Sequence, residues 1–257
     1  MTSEQWEQIK QNVTDAMLEH TRPFVTALGT ETDTTVRLVG TGSYVGDENQ
    51  RLVLTCEHVA WEKPMHYRFM GSEEVFEHPG PWTLTPHPTD SAFASISSAQ
   101  WCATTHQAKA IPLNRFANRH EVVEQAELLF FMGYAGENAC YGFDTHQTNG
   151  TGYCSQEKLG TGDSCIFELF WEPDKTKFTT GTSAEAQRGT KYENARGFSG
   201  SLVWNTRYLE ISGKEGRSWN PADAVVTGLL RRWDERTKTL LVWRVEHLNA
   251  WLQAKGA

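Results

Sequence analysis

Short apolar stretches separated by turn residues are the sequence feature that most restricts the fold. The stretches are rich in Val, Leu, Phe and Thr, and turns such as Val45-Gly46-Asp47 separate them. They do not alternate with helical patterns, so a parallel sheet is not expected. The pattern predicts a mainly β chain built from antiparallel barrels or sandwiches. The predicted strands are 24–28, 35–39, 51–55, 92–96, 127–132, 164–170, 201–204, 224–230 and 239–243.

Both ends of the chain have apolar residues at helical spacing instead. The first pattern predicts an amphipathic helix over about 3–20, which Pro23 would end. The second predicts a helix over the last residues, from about Val245. The residues that carry the two patterns are Trp6, Ile9, Val13, Met17 and Leu18, and Val245, Leu248, Trp251 and Leu252.

Composition excludes some classes of protein. The net charge is −8, which disfavours a nucleic-acid backbone as the main partner because phosphate binding needs clustered Lys and Arg. No apolar run is long enough to suggest a membrane span, and the first residues, Met1 to Trp6, do not resemble a signal peptide. No nucleic-acid or membrane partner is therefore expected.

The five cysteines are odd in number and scattered, which is typical of reduced thiols and favours a cytoplasmic location. A zinc site could be drawn from Cys140, His146, Cys154 and Cys165, but these residues contain no C-x-x-C pair. We expect no metal and no cofactor.

One segment has the pattern of a catalytic serine loop: Gly197-Phe198-Ser199-Gly200-Ser201. Glycines allow backbone angles that other residues avoid, and their N–H groups can converge on a developing oxyanion. A serine hydroxyl is a poor nucleophile unless a base takes its proton. His58 follows the predicted strand 51–55, and Asp90 precedes the predicted strand 92–96, so both are candidates for the base and its orienting acid.

These segments resemble their counterparts in the trypsin-like (chymotrypsin-fold) serine peptidases, and they occur in the order His, Asp, Ser. Residues 40–43 and 52–59, GTGS and LVLTCEHV, are similar to the family's G-x-G-x and L-V-L-T-A-x-H-V segments. Asp90-Ser91-Ala92-Phe93 resembles D-[apolar]-A-[apolar], and residues 197–201 resemble G-x-S-G-[GS]. FMGY at 131–134 looks like the G-[YF] turn early in the second barrel. The resemblance covers about residues 24 to 255.

The resemblance implies a serine endopeptidase of two six-stranded antiparallel β-barrels. Ser199 would attack a peptide carbonyl, His58 would transfer the proton, and Asp90 would orient His58. The N–H groups of Gly197 and Ser199 would form the oxyanion hole. The implied domains are a helical extension (1–23), a first barrel with His58 and Asp90 (24–115), a second barrel with Ser199 (116–244) and a C-terminal helix (245–257).

Substrate specificity is left open by the sequence. The resemblance places Glu193, Arg231 and Arg232 near the first substrate pocket, where Glu193 would favour a basic side chain and the arginines an acidic one. Ser91 stands where the family has an apolar residue, so Asp47 is a second candidate for the acid. Phe198 replaces the aspartate that trypsinogen-type activation requires, so we expect no activation of that kind.

Two other functional hypotheses remain. A catalytically silent trypsin-like domain could serve as a protein-binding module. An α/β-hydrolase, with Asp223 or Asp234 and His247, fits less well because KYEN at 191–194, before the serine loop, is too polar for the required strand. The expected partner is a peptide or protein substrate. As a hypothesis, activity is restrained by a regulatory protein partner, by ordering of the polar loop 181–194, or by narrow specificity.

Overall fold

The computed structural model describes residues 2–31, 36–61, 65–78, 80–122, 126–134, 140–142, 145–147, 150–160, 163–179, 184, 187 and 195–257. The loop predicted over 181–194 lies almost entirely outside the described residues. Within them, no helix combines the length and the apolar character needed to cross a membrane.

The amino-terminal helix α1 spans Ser3–Thr21, as the apolar spacing predicts. Thr2 caps it in a capping box with Gln5, and a short 3-10 turn that contains Pro23 follows its end. The helix packs on the second of two sheets. A Cβ added at Gly152 would lie only 2.7 Å from Leu18 Cδ1, so glycine permits this close approach.

The first sheet is antiparallel and has seven strands in the order β5-β4-β1-β2-β3-β7-β6. It contains the strands predicted over 24–28, 35–39, 51–55 and 92–96. Its strands are β1 (Val25–Glu31), β2 (Val36–Gly46), β3 (Arg51–Thr55), β4 (Met65–Tyr67), β5 (Phe76–His78), β6 (Thr83–Thr85) and β7 (Ser91–Ile96).

The second sheet is antiparallel and has eight strands in the order β12-β13-β17-β16-β15-β8-β11-β14. A separate hairpin pairs β9 (Cys140–Gly142) with β10 (Thr145–Gln147). The strands of the sheet are β8 (Leu129–Tyr134), β11 (Gly150–Ser155), β12 (Glu157–Lys158), β13 (Ile166–Phe170), β14 (Lys177–Phe178), β15 (Leu202–Asn205), β16 (Val225–Asp234) and β17 (Thr239–Arg244).

Both sheets are curled, and the prediction of a mainly β, antiparallel chain is confirmed. The sheets have seven and eight strands in place of the expected six each, because two-residue strands such as β12 and β14 extend the second sheet and three-residue strands extend the first. This architecture does not provide the strand–helix alternation of an α/β-hydrolase, so that hypothesis is wrong.

Of the helices whose bounds the structure describes, the remaining ones are short, except the last. They are α2 (Glu57–Ala60), α3 (Ser98–Trp101), α4 (Tyr208–Ser212) and α5 (Val245–Lys255). The predicted C-terminal helix α5 follows β17 directly and returns to the first sheet. There Trp251 packs against Phe93, and its Nε1–H donates to Thr85 Oγ1 at 2.8 Å. The end of the chain therefore fastens one sheet to the other.

Candidate active site

Strand pairing brings His58 and Asp90 together. The pairing of β3 with β7 ends with Thr55 opposite Ala92. Asp90 lies two residues before that pair on one strand, and His58 lies three residues after it on the other, in the first turn of α2. In an antiparallel pair, one strand ends at the edge of the sheet where its neighbour begins. His58 and Asp90 therefore lie at the same edge of the sheet.

The two side chains are hydrogen-bonded. His58 Nδ1 lies 2.9 Å from Asp90 Oδ1 and 3.0 Å from Oδ2, and the His58 main-chain N–H donates to Oδ1 at 3.2 Å. A neutral imidazole that donates from Nδ1 carries its lone pair at Nε2, where a base needs it. The His58 side chain is 46 % exposed and that of Asp90 only 10 %, so the imidazole is accessible to solvent and the carboxylate is screened.

The Asp90 backbone has a φ of 49°, which is uncommon for a residue with a side chain. Burial by itself would raise the pKa of the Asp90 carboxyl. The hydrogen bonds and charge of His58, together with the charge of Arg231, outweigh burial and hold that pKa below its usual value. Asp90 is therefore ionised at neutral pH.

Ser199 lies in a tight loop between two glycines with positive φ, 95° at Gly197 and 93° at Gly200. A Cβ at Gly200 would collide with the Thr41 carbonyl oxygen and with Thr55 Oγ1, so glycine is required there for space as well as for backbone angle. Thr55 lies three residues before His58. The serine loop is thus packed against the strands that carry His58.

Thr41, in β2, holds the serine loop with two hydrogen bonds and is itself held by a third. Its N–H donates to the Ser199 carbonyl at 2.9 Å, and its hydroxyl donates to the Gly197 carbonyl at 2.8 Å. The same hydroxyl accepts the Tyr134 N–H at 3.0 Å, which leaves its proton for Gly197. Sequence analysis missed this role, although Thr41 stands inside the GTGS segment that it singled out.

The Leu230 carbonyl also joins the two halves of the site. It accepts the Gly200 N–H at 2.9 Å and lies 3.4 Å from the Cys56 thiol, two residues before His58. Gly40 lies between the same segments, since a Cβ there would be 2.6 Å from the Val59 methyl groups and 3.1 Å from the Ser199 carbonyl oxygen. The serine loop and the histidine helix therefore lie side by side.

The N–H groups of Gly197 and Ser199 donate no hydrogen bond to any residue that the structure describes. They remain available to an oxygen from outside the chain. Within the same described residues, no hydrogen bond joins Ser199 Oγ to His58 Nε2. Such bonds are often long before substrate binds.

Comparison with known proteins places this geometry in a fold. No protein-family model matches the sequence, and no curated protein matches it. Among solved structures, the serine endoprotease from Yersinia pestis is 14 % identical with a TM-score of 0.53, over 94 % of this chain and 65 % of that one. The active form of the Rv3671c protease from M. tuberculosis is 14 % identical with a TM-score of 0.50, over 94 % of this chain and 85 % of that one.

The chain has the trypsin-like fold. The fold predicted from the order of the His58, Asp90 and Ser199 segments is confirmed. At this level of identity the likeness concerns the fold alone, and the chemistry has to be argued from the residues.

Phe198, which precedes Ser199, is fully buried in this trypsin-like fold. Its ring lies 5.2 Å from that of Phe131 and 5.6 Å from that of Trp171, in edge-to-face contacts. A Cβ at Gly133 would lie 2.9 Å from the Phe198 ring, so β8 approaches the loop closely. Apolar packing therefore positions this part of the serine loop, and Phe198 needs no charged partner.

The residues predicted to line the substrate pocket have different positions. Arg232 is exposed, and Glu193 lies outside the described residues. Arg231 is buried, at the point where the pairing of β16 with β17 is shifted by a bulge. A bulge redirects a side chain, and Arg231 Nε lies 3.8 Å from Asp90 Oδ2, beyond hydrogen-bonding distance.

Asp47, the second candidate for the acid, caps a turn. Its Oδ1 accepts the N–H groups of Asn49 at 2.7 Å and Gln50 at 3.2 Å. This is the usual role of an aspartate in a tight turn. The structure thus pairs His58 with Asp90 and gives Asp47 a structural task.

One group of described residues has its ligand atoms within 4.8 Å of one another, as a metal site would: Cys56, His58 and Asp90. Burial raises the pKa of the Cys56 thiol well above its usual value, so this sulfur stays protonated and is a poor metal ligand or nucleophile. Of the zinc set considered above, the side chains of Cys140 and His146 lie outside the described residues.

Proposed function

We propose that this chain is a serine endopeptidase that works through Ser199, His58 and Asp90. The observation that carries the proposal is the hydrogen-bonded pair of an exposed His58 and a buried, ionised Asp90 beside a glycine loop with two N–H groups that donate to no described residue. The trypsin-like fold supports it, because the three residues come from the segments that the motif order indicated.

In the first half of the reaction, Ser199 Oγ attacks the carbonyl carbon of a peptide bond. His58 Nε2 takes the hydroxyl proton and becomes an imidazolium, whose Nδ1–H faces the Asp90 carboxylate. The imidazolium then protonates the leaving amine, the C–N bond breaks, and an ester remains on Ser199.

In the second half, a water molecule takes the place of the leaving amine. His58 accepts one of its protons while the oxygen attacks the ester carbon. Collapse of the tetrahedral species releases the carboxylic acid and returns the proton to Ser199 Oγ. Asp90 stays ionised throughout and holds the imidazole in one orientation.

The negative oxygen of each tetrahedral species would be bound by the N–H groups of Gly197 and Ser199. Thr41 supports this arrangement, because its hydrogen bonds to the carbonyls of both residues fix the 197–198 and 199–200 peptide planes, which adjoin the planes that carry the two N–H groups. Removal of one oxyanion donor typically costs about 10²–10³ in rate. Orientation of the two N–H groups is therefore a large part of the proposed catalysis.

A fluorophosphonate probe tests the proposal directly, because it labels only an activated serine. We expect labelling of the full chain and its loss in Ser199→Ala and in His58→Ala. Ser201→Ala is the matched control, since Ser201 is buried two residues further along and its hydroxyl has no partner in the described part of the chain. Equal labelling of the protein and Ser199→Ala would exclude Ser199 as the nucleophile.

The second candidate function is a silent binding module. The absence of a hydrogen bond between Ser199 and His58 within the described residues favours it. A folded protein that binds peptides but resists the probe at every pH and with every peptide tested would support this alternative. Labelling sensitive to both Ser199→Ala and His58→Ala would exclude it.

The proposed domain division rests on the two sheets. Strand β7 ends at Ile96 and β8 begins at Leu129, and the described residues between them form α3, a 3-10 turn and isolated bridges at Ile111 and Phe116, but no strand. A boundary near 115–116 falls in this stretch. We also propose a cytoplasmic location, supported by the odd and scattered cysteines of the sequence.

A further inference from the structure

A cavity of about 120 Å³ lies where the two sheets meet, and none of His58, Asp90 and Ser199 lines it. Its walls come from β1 and residues 66–71 on one side and from β8 and β11 on the other. This volume can hold several water-sized groups, because a cavity needs only about 10–15 Å³ to hold one water. We call it the arginine pocket, after Arg22 and Arg68 in its walls.

The two arginines are half-buried cations. Neither guanidinium has a hydrogen bond or an ion pair with any described residue. Burial raises the pKa of the Tyr134 phenol, and the charges of Arg68 and Arg22 partly oppose that rise, so both cations lie near the same pocket wall. Two like charges drawn together and partly desolvated favour a bound anion.

An independent observation concerns Tyr67, which lines the same pocket. Its side chain is only 1 % exposed, and its hydroxyl finds no hydrogen-bond partner in the described residues. A buried hydroxyl without a partner is unusual and costly. A ligand oxygen in the pocket would supply one.

We propose that the arginine pocket binds a carboxylate of a peptide chain. Guanidinium groups bind the two oxygens of a carboxylate in a planar fork, and a phenol adds a third donor. The carboxylate belongs either to an acidic side chain or to the C-terminus of the peptide. This inference rests on the proposed function in one respect, namely that the peptide is the substrate.

The position of the pocket links it to Ser199. Ala27 in its wall is paired with Thr41, and the Thr41 N–H donates to the Ser199 carbonyl. Tyr134, in the opposite wall, donates its N–H to Thr41 Oγ1. Neighbouring strands are about 4.8 Å apart, so a peptide cleaved at Ser199 can reach the pocket within a few residues.

Binding to Ser199→Ala protein separates this proposal from cleavage. The probes are fluorescein-labelled heptapeptide pools without Asp or Glu at the random positions. Four pools combine a fixed central Glu or Gln with a free or an amidated C-terminus. We expect fluorescence anisotropy to show at least about tenfold tighter binding of one carboxylate-bearing pool than of the pool with Gln and an amide, as charge-assisted hydrogen bonds provide. The pool that binds identifies the source of the carboxylate.

Variants test whether the preference for a carboxylate arises in the arginine pocket. Arg22→Gln, Arg68→Gln and Tyr67→Phe should each reduce the preference for the carboxylate, and Arg217→Gln, on an exposed turn, should not. Equal binding of all four pools, or an equal loss in Arg217→Gln, would overturn the proposal. Displacement of the peptide by inorganic phosphate at lower concentration than by acetate would overturn the assignment to a carboxylate.

The outcome of fluorophosphonate labelling is independent of the outcome of the peptide-binding experiment. Carboxylate preference that depends on Arg22 and Arg68, in a protein that the probe never labels, would support the pocket and contradict the peptidase. Labelling of Ser199 without any carboxylate preference would support the peptidase and contradict the pocket.

Discussion

The two halves of the candidate site are held by different kinds of contact. His58 and Asp90 are joined by direct side-chain hydrogen bonds of 2.9 and 3.0 Å, next to the ends of two adjacent strands of one sheet. Ser199 is held through its neighbours, by main-chain bonds to Thr41 and Leu230 and by the packing of Phe198. We call His58 and Asp90, which contact each other through side chains, the chemical half of the site. We call the serine loop, which is held by main-chain bonds and packing, the backbone half.

The two halves should therefore respond differently to substitution. A change at Asp90 removes a charge and a hydrogen bond from the base, and leaves the sheet around it intact. A change at Thr41 or Phe198 leaves every side chain of the proposed triad in place and alters the backbone next to the N–H groups that would bind the oxyanion. A substitution that removes the Asp90 charge and one that alters the backbone of the serine loop should therefore have different effects on activity and stability.

Asp90→Asn should have the largest effect. The amide can turn its NH₂ toward His58 Nδ1, which moves the ring proton to Nε2 and removes the base. We expect kcat/KM to fall on the order of 10³–10⁴-fold when peptide hydrolysis is measured at neutral pH. Asp47 is the other candidate acid, and in Asp47→Asn the amide oxygen can still accept the hydrogen bonds of the turn. This variant should retain nearly full activity. A greater loss in Asp47→Asn than in Asp90→Asn would reverse the assignment.

Phe198→Ala should chiefly damage the backbone half. It removes a fully buried ring from between Phe131 and Trp171, and such truncations cost about 3–5 kcal/mol of folding free energy. Urea unfolding measures the loss. The control is Phe170→Ala, whose side chain is 48 % exposed and should cost little. If the comparison holds, the His58 Nδ1–H resonance in NMR spectra persists in both variants under native conditions.

The sequence indicated the candidate reacting side chains better than the backbone contacts around them. Residue type and chain order were enough to indicate His58, Asp90 and Ser199, because a base, an acid and a nucleophile belong to few residue types. Thr41 acts mainly through its position, where the backbones of β2, β8 and the serine loop meet, and threonine is common in strands. Arg231 was assigned to substrate because the bulge that turns it toward Asp90 is not visible in sequence.

The strands that were missed have a similar explanation. Gly150–Ser155, GTGYCS, lacks an apolar alternation, yet all its residues are buried. Its glycines are explained by neighbours that are distant in sequence, since a Cβ at Gly152 would press on Leu18 of α1 and on the Phe130 ring. Local pattern cannot show such a contact.

Thr41→Val tests the backbone half with a smaller change. The variant keeps the shape of the side chain but leaves the Tyr134 N–H and the Gly197 carbonyl unpaired. We expect kcat/KM to fall about 10- to 100-fold, less than for loss of an oxyanion donor itself. Thr41→Ser should restore most of it. A peptidyl trifluoromethyl ketone should lose affinity in parallel, while a substrate bound to the Ser199→Ala background should not. An equal loss of both affinities would assign Thr41 to general binding.

Arg231→Met should have the smallest effect, and it tests how far the chemical half extends beyond His58. Arg231 is the last of the influences that lower the pKa of Asp90, after the hydrogen bonds and charge of His58. Without this cation, the pKa of Asp90 should rise toward its ordinary value, and Arg231→Lys should keep it low. The measurement is a ¹³C NMR titration of labelled aspartate, with the Asp90 signal identified by its loss in Asp90→Asn.

The sign for stability follows from the lowered pKa. An ionised Asp90 stabilises the folded protein above the pKa of the unfolded chain, about 4, and this contribution is lost as pH falls through the lower folded value. In Arg231→Met the contribution is smaller, because the folded pKa lies closer to the unfolded one. If Asp90 titrated identically in the protein and in both variants, Arg231 would be a packing residue only. The chemical half of the site would then consist of His58 and Asp90 alone, and the bulge in β16 would serve the sheet and not the acid.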